Sequence, residues 1–545
     1  MVKFMTKLIR IAANPVVAKI IEDDKEVNGL VSELLSYQID GAEFMSAFKT
    51  TGWTGRSSFF SARKRSFPAG FVHLVRTELD RKGYRVQLVR HKAPVPTGPE
   101  SPIVDEFGND DPRYDYQLKA LRAVERHGAG IIQVATGGGK SRLAKFIVAR
   151  YRRPALFITT RGVLMYQMKT GFEDMKFNVG VCGDGVWAPI NGVNVGMVQT
   201  LVARLTETTF EDELLAVVKQ QAEAQESAKK KGLPRSKALT DHEMALVAKE
   251  RLKNRMLDRA RTIKLLELVE VVIGEEAHEA GGNSYFEILK HCKNAHIRVA
   301  LTATPFMRGD AESNMRLMGA FGPILIKVSE KLLIDRGILA TPYFKFVEVQ
   351  PHPKLRRTSP WQRAYQLGYV ENPYMTAAIV NDAVRAKKFS LPVLTLIQRT
   401  KHGDEVRKAM IAAGLRVEFI RGDSDQTERS RQLKRLAAGV IDVLIGTTIL
   451  DVGVDVPAVG LVQLAGGGKA EVALRQRIGR GLRAKKKGPN VCFVVDYTPS
   501  GNQCLREHTT QRRAIIESTE GFNSQILKPG ADFPWSLFEK DADAA

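Results

Sequence analysis

Gly130-Ile131-Ile132-Gln133-Val134-Ala135-Thr136-Gly137-Gly138-Gly139-Lys140-Ser141 is the stretch on which the reading of this sequence turns. A short apolar, strand-like segment runs into three glycines and then Lys-Ser. Leu143-Ala144-Lys145-Phe146-Ile147-Val148 follows, with apolar spacing that suits a helix. Strand, glycine loop, Lys-Ser and helix together form a cradle for a nucleoside triphosphate. Backbone N–H groups of Thr136, Gly137, Gly138 and Gly139 can close around phosphate oxygens. Lys140 can reach the outer phosphates, and the Ser141 hydroxyl can ligate Mg²⁺. Val134 stands where the generic motif has its first glycine.

Working outward, 545 residues are enough for about three or four domains. The net charge of +22 points to a polyanionic partner, nucleic acid before any other. No apolar run approaches the ~18 residues of a membrane span, so no membrane partner is expected. The basic opening Met1–Arg10 is too often interrupted by charge for a secretory segment and reads as a strand. Cys182, Cys292, Cys492 and Cys504 are scattered without a Cys-x-x-Cys pair. That argues against zinc or a disulfide framework and fits a reducing cytoplasm.

The order of segments predicts an α/β chain. Residues 1–92 read as a small mixed α/β domain, and 93–112, rich in proline and acid, as a linker. Strands alternate with helices over 113–335, with candidates Ile131–Gln133, Ala155–Thr159, Val193–Met197, Val269–Ile273 and Arg298–Thr302. They alternate again over 336–520, with Val393–Ile397, Val417–Ile420, Val443–Gly446, Leu461–Leu464 and Val491–Val495. Such alternation favours two tandem parallel-sheet domains covered by helices. A charged helical insertion is expected over about 206–264. Leu214, Leu215, Val217 and Val218 give it an apolar face, and Thr240-Asp241-His242-Glu243 caps its second helix. Its plainest role is a solvated hairpin, and an arm touching nucleic acid is the alternative. Residues 521–545 read as a C-terminal tail.

Other motifs carry chemistry. Val271-Val272-Ile273-Gly274-Glu275-Glu276-Ala277-His278 is an apolar strand ending in two carboxylates, one suited to Mg²⁺ and one to activating water for ATP hydrolysis. Leu301-Thr302-Ala303-Thr304-Pro305 ends another strand with paired hydroxyls. Gly446-Thr447 through Pro457 is followed by Gln476-Arg477-Ile478-Gly479-Arg480-Gly481-Leu482-Arg483. There Arg480 and Arg483, three apart, project from one side of a helix as candidate arginine fingers.

This ordered set resembles a superfamily 2 helicase from Tyr114 to Tyr497. Tyr116-Gln117 resembles the adenine-reading Gln motif, Thr136–Ser141 motif I, and Glu275–His278 the DEAH box of motif II. Thr302-Ala303-Thr304 resembles motif III, Gly446–Pro457 motif V, and Gln476–Arg483 motif VI. Leu164-Met165-Tyr166-Gln167 resembles the end of motif Ia, with Thr160-Arg161 where Pro-Thr is usual. Within the superfamily, the XPB, RecG and UvsW-like group of DNA helicases is the nearest in pattern. Tyr37–Ala42, Gly52-Trp53-Thr54-Gly55-Arg56, Phe67-Pro68-Ala69-Gly70-Phe71 and Gly83-Tyr84 resemble the N-terminal domain of phage UvsW-like recombination helicases, with Thr54 replacing an Asp.

The resemblance implies two RecA-like domains with ATP and Mg²⁺ as cofactors and ATP between the domains. Gln117 would read adenine, and Gly453 and Asp455 would join the nucleotide site. Ser141 and Glu275 would serve Mg²⁺, with Glu275 in a place that is Asp in the family. Glu276 would be the general base, with Gln476, Arg480 and Arg483 beside it in catalysis. His278, Thr302 and Thr304 would couple ATP to motion. Arg56, Arg63, Lys64, Arg65, Arg161 and Thr447 are the candidates for nucleic-acid contact. The expected partner is branched or double-stranded DNA, with recombination or replication proteins, and a monomer as the minimal motor. RNA unwinding, or a non-unwinding motor of a defence or restriction complex, are the alternatives.

Overall fold

The computed structural model describes residues 7–90, 93–230, 239–278, 283–306, 311–421, 424, 426–447, 459–468, 471–485 and 488–539. By contacts the chain divides into two compact units. One comprises residues 1–106, 120–132 and 142–325; the other comprises 107–119, 133–141 and 326–545.

The N-terminal segment forms β1 (Leu8–Ala13), β2 (Val17–Ile20), β3 (Ser36–Gln38), β4 (Arg56–Ser58), β5 (Ser66–Pro68) and β6 (Arg85–Arg90). Four of these make a sheet in the order β5-β2-β1-β6, and β3 pairs with β4. Alternation in β1 buries Ile9 and Ile11 against Val27, Val31, Phe67, Phe71, Val75 and Leu79. The Phe67–Phe71 motif is therefore structural. Both phenylalanines fill the core, and Gly70 meets the Ala311–Phe321 helix so closely that a Cβ would stand 2.2 Å from the Met318 carbonyl oxygen. Trp53 is half-buried, and its indole N–H donates to the Arg56 carbonyl at 2.6 Å.

The segment expected as a linker is laid along the Lys140–Tyr151 helix. Gly98 donates to the Arg150 carbonyl at 2.8 Å, and its missing Cβ would fall 1.9 Å from the Ala149 oxygen. Thr97 donates to the Tyr151 carbonyl, and Asp105 pairs with Arg142 through both carboxylate oxygens. The orphan carbonyls at the end of that helix explain the docking, because they need donors and the connector supplies them.

The next strands are β7 (Ala129–Val134), β8 (Ala155–Thr159), β9 (Val179–Gly183), β10 (Val186–Ala188), β11 (Val193–Met197), β12 (Val271–Glu275), β13 (Ile297–Thr302) and β14 (Ile324–Val328). They form one sheet in the order β10-β9-β11-β8-β12-β13-β7-β14. β8, β11, β12 and β13 pair in parallel and are almost wholly buried, which is why they read as continuous apolar runs. β12 starts two residues later than expected. The preceding helix runs on to Leu268, burying Leu265 and Leu266, and the Val269 N–H still bonds to Leu266.

That helix, Asp241–Leu268, and its partner Phe210–Lys230 are the insertion, and the Thr240/Glu243 capping box is present. The single apolar face expected there is not formed. Val217 is buried, but Leu215, ~100° round the helix from Leu214, is 69% exposed, and Val218 is 43% exposed. The inner seam instead carries Glu213, 3% exposed, paired with Arg255 at 2.8 Å.

The last strands are β15 (Thr341–Val349), β16 (Val393–Leu396), β17 (Val417–Ile420), β18 (Val443–Gly446), β19 (Leu461–Leu464) and β20 (Val491–Pro499). Their order is β15-β20-β19-β16-β18-β17, parallel throughout. The tail expected from residue 521 is corrected here. Phe522, Phe533 and Trp535 are buried, Leu527 bonds to Phe344, and Phe533 stacks on Phe493 at 4.4 Å. A sparse pattern of aromatics in a polar stretch holds this segment down, and no periodicity announces it.

Trp535→Ala should lower the unfolding free energy of this region by about 3 kcal/mol, the usual cost of removing a buried aromatic. Denaturant titration followed by near-UV circular dichroism measures this. A midpoint equal to the wild type would show that the segment only decorates the domain.

Candidate functional site

The phosphate loop leaves β7 at Val134 and enters the helix at Lys140. Gly137 and Gly139 have φ of +87° and +80°, a backbone that side chains rarely adopt. Gly138 covers Val134, whose Cγ1 would lie 2.4 Å from an added Cβ. This accounts for the departure from the generic motif. A buried valine fills the space under the loop, and Gly138 makes room for it. The loop is held from below at one carbonyl. Tyr116 donates its hydroxyl to Gly138 O at 2.7 Å, and Gln117 donates its amide at 3.3 Å. Both side chains are nearly fully buried. The amide linked to adenine by resemblance thus touches the glycine loop, the candidate phosphate site. The loop admits no side chain at Gly137 or Gly138, where a Cβ would collide with Leu339 or Val134.

The carboxylates sit at the end of β12. Glu275 is 4% exposed and lies opposite Leu301 of β13. Tyr285 fixes this end by donating to the Glu275 carbonyl at 3.0 Å and the Ile158 carbonyl at 3.3 Å. Glu276 turns out of the strand with φ of +45°, while its N–H still bonds to Leu301 at 2.9 Å. A non-glycine residue there costs about 1–2 kcal/mol, and such strain concentrates at functional positions. The turn brings three side chains together. His278 Nδ1 lies 2.7 Å from Thr302 Oγ1 and 3.5 Å from Glu276 Oε2, and Thr302 Oγ1 donates to Glu276 Oε2 at 3.4 Å. Thr304 joins through its N–H, which donates to Thr302 Oγ1 at 3.3 Å. Motifs read as separate in the sequence therefore form one polar cluster across two adjacent parallel strands.

In the second unit the Glu471–Gly481 helix lies against the phosphate loop. A Cβ on Gly479 would stand 2.8 Å from Thr136 Cβ. The helix is anchored by Arg475, which donates to Glu330 Oε1 at 2.6 and 3.1 Å, and by Leu482, whose carbonyl accepts from Ala340 at 2.7 Å. Gln476 is buried on it, whereas Arg483, expected to share a helix face with Arg480, is corrected here: the helix stops at Gly481, and Arg483 is exposed beyond it with its backbone bridged to Leu339. The Arg475–Glu330 pair was not singled out in the sequence. A basic residue at the start of an arginine-rich stretch gives no sign of which arginine is structural. Gly453, Asp455 and the Arg480 side chain lie outside the described residues. Thr447 is buried, with no hydrogen bond to its hydroxyl among the described residues.

The nucleic-acid candidates differ in setting. Arg63, Lys64 and Arg161 are exposed, Arg56 is exposed and donates to Ser36, and Arg65 is half-buried 3.8 Å from Asp23. Phe44, missed in the sequence, is 79% exposed, and its ring edge lies 3.8 Å from where a Cβ on Gly41 would stand. Ser141 and Glu275 remain the groups able to serve Mg²⁺. Among the described residues no cluster of three His, Cys, Asp or Glu could hold a metal unaided, so phosphate oxygens would have to complete its shell.

Residues 111–307 match the family of the Type III restriction enzyme res subunit, and residues 377–485 match the helicase conserved C-terminal domain. Putative helicase 22 of Sulfolobus islandicus filamentous virus is 26% identical over 277 residues, 47% of this chain and 48% of that protein. UvrABC system protein B of Fervidobacterium nodosum is 28% identical over 164 residues, 29% of this chain and 25% of that protein. The chain spans about half the length, or less, of these curated relatives. The crystal structure of T4 UvsW aligns over 95% of this chain and 98% of its own at 16% identity, with a TM-score of 0.41.

Thr302→Val removes the hydroxyl shared by His278 and Glu276 while keeping shape. ATP turnover should fall about tenfold or more, as expected when a hydrogen bond to a charged group is lost, with nucleotide affinity unchanged. Steady-state hydrolysis alongside a fluorescent-nucleotide titration measures both. Full turnover would reduce the cluster to packing.

Proposed function

We propose that this chain, whose residues 111–307 and 377–485 match the res-subunit and helicase C-terminal families, is a superfamily 2 helicase, an ATP-driven DNA motor that unwinds or branch-migrates branched DNA. The observation that carries the ATPase half is the Glu276–Thr302–His278 cluster at the strand ends of a sheet whose β7 opens into a braced phosphate loop. In this reading Gly137–Gly139 and Lys140 hold the phosphates, and Gln117 reports adenine to the loop through Gly138. Glu276 takes the proton of the attacking water, while Thr302 and His278 orient its carboxylate and pass its state to Thr304. Ser141 and Glu275 are assigned to Mg²⁺, which would neutralise charge on the phosphate oxygens. The Glu471–Gly481 helix, Gly479 against Thr136, brings Arg480 and Arg483 to bear on the charge that develops on the transferred phosphoryl group. Gln476, Gly453 and Asp455 complete the nucleotide site.

Three features support DNA. The charge of +22 suits a phosphate backbone. The N-terminal motifs resemble those of UvsW-like recombination helicases. That domain also exposes Arg56, Arg63, Lys64 and Phe44 on one small scaffold, a mixture of cations and aromatic surface suited to phosphate and base contact. Arg161 and Thr447 are assigned to the tracking strand. One observation favours a second reading: the res-subunit match over residues 111–307 would equally suit the motor of a restriction complex.

Forked, Holliday-type and RNA–DNA substrates, with and without ATP, separate these readings. Strand separation on branched DNA supports the proposal. Preference for RNA–DNA would replace it with RNA unwinding, and DNA-dependent hydrolysis without strand separation would favour the restriction motor. Lys140→Ala should abolish hydrolysis. Glu276→Gln should retain bound ATP with little turnover, and wild-type rates in that variant would move the base to Glu275. Binding to duplex DNA should weaken with salt at a log–log slope of about −0.9 per phosphate neutralised. A flat response would remove the phosphate-tracking model.

A further inference from the structure

β19 ends at Leu464 and the arginine-bearing helix begins at Glu471, with Ala465-Gly466-Gly467-Gly468 leaving the strand. A run of three glycines has the most backbone entropy to lose, and nothing in it fixes the direction of the helix that follows. The fold fixes it from outside, one carbonyl at a time. The Tyr365 hydroxyl donates to Gly466 O at 3.0 Å, the Gln398 amide to Gly467 O at 3.3 Å, and Arg512 to Gly468 O at 3.0 Å. The three donors come from three separate places in the chain. The turn itself admits no side chain. Gly467 and Gly468 have φ of +64° and +91°, and a Cβ on Gly467 would stand 2.9 Å from Tyr369.

Arg512 is the most firmly held of the donors. It lies on the Gln503–Ser518 helix, beyond the matched helicase C-terminal domain, and is 3% exposed. Its Nε and one terminal nitrogen grip the two oxygens of Asp496 at 2.8 and 2.9 Å, and that nitrogen also reaches the Tyr369 hydroxyl at 3.3 Å. Asp496 is 2% exposed and stands on β20 directly opposite Leu464, the last residue of β19. The sheet thus fixes the carboxylate, the carboxylate fixes the guanidinium, and the guanidinium fixes the third glycine carbonyl.

A buried ion pair is a poor way to gain stability, since apolar residues of similar volume serve as well or better. What they cannot supply is a planar fork that binds a carboxylate on one edge and keeps a donor for a carbonyl on another. We infer that Arg512, anchored by Asp496, is a positioning residue that sets the Gly466–Gly468 turn and through it the direction of the Glu471–Gly481 helix, so that the arginines of that helix meet the nucleotide in register. The inference rests on the arginine-helix role proposed above and assigns its control to a residue outside the helicase motifs.

The test is a double-mutant cycle of Arg512→Lys with Arg480→Ala in the full-length protein, read as nucleic-acid-stimulated ATP turnover. The lysine keeps the charge facing Asp496 but cannot reproduce the two-edged fork. Arg512→Lys should lower kcat about tenfold, leave the KM for ATP within about twofold, and keep the thermal transition. In the Arg480→Ala background it should cost less than about twofold, because both changes act on one helix. Equal costs in the two backgrounds, or a lowered melting temperature with unchanged kcat for the folded fraction, would overturn the inference. The neutral pair Arg512→Met with Asp496→Asn guards against misfolding, and it should show the same fall in kcat. Wild-type turnover in Arg480→Ala would overturn the arginine-helix role itself and the inference with it. Loss in Arg480→Ala with none in Arg512→Lys overturns the inference alone.

Discussion

Parallel pairing of β8, β12 and β13 is the constraint on which the candidate site depends. In a parallel sheet every strand ends on the same side, so chemistry at strand ends is gathered without being adjacent in sequence. Glu275 is held opposite Leu301 by this register, and the next residues along each strand, Glu276 and Thr302, come within 3.4 Å. A slip of one residue would turn each side chain to the opposite face and separate them. Tyr285 secures the ends by bonding two of the three strands through their carbonyls.

A second regularity is the use of buried side-chain donors on glycine carbonyls. Glycine lets the chain turn sharply and approach closely, but it leaves the turn undetermined. At Gly138 the determination comes from Tyr116 and Gln117, and at Gly466–Gly468 from Tyr365, Gln398 and Arg512. Each donor is itself buried or half-buried and so has few other positions to occupy. Burying such groups is costly unless they are paired, so the same bonds that shape the loops also satisfy the donors. The two loops that lead into the phosphate helix and the arginine helix are thus set by the bodies around them.

The accessory parts follow a similar logic of docking. The N-terminal domain meets the Ala311–Phe321 helix at Gly70, and the connector lies on the phosphate-loop helix at Gly98, both at distances only glycine allows. Asp105 on the connector grips Arg142, next in sequence to Ser141. The connector is therefore built into the body that carries the helix after the phosphate loop.

The sequence alone determined the α/β class and most strand positions, and it marked the candidate site residues. Those are properties of short windows: apolar runs make buried strands, glycines followed by Lys-Ser make a phosphate loop, and a strand ending in Glu-Glu places carboxylates. It was weaker where the outcome depends on distant partners. The proline-rich connector reads as a tether because nothing local says that Arg150 and Arg142 will claim it. Residues 522–538 read as a tail because Phe522, Phe533 and Trp535 have no periodicity, yet Phe344, Phe389 and Phe493 await them. The four apolar residues at 214–218 suggested one face, but of them only Val217 is buried. The Arg512–Asp496 pair, 16 residues apart, was invisible for the same reason. A window of sequence reports what a residue prefers. Which residues meet, and so which arginine anchors its helix, was decided only by the packing of the tertiary structure.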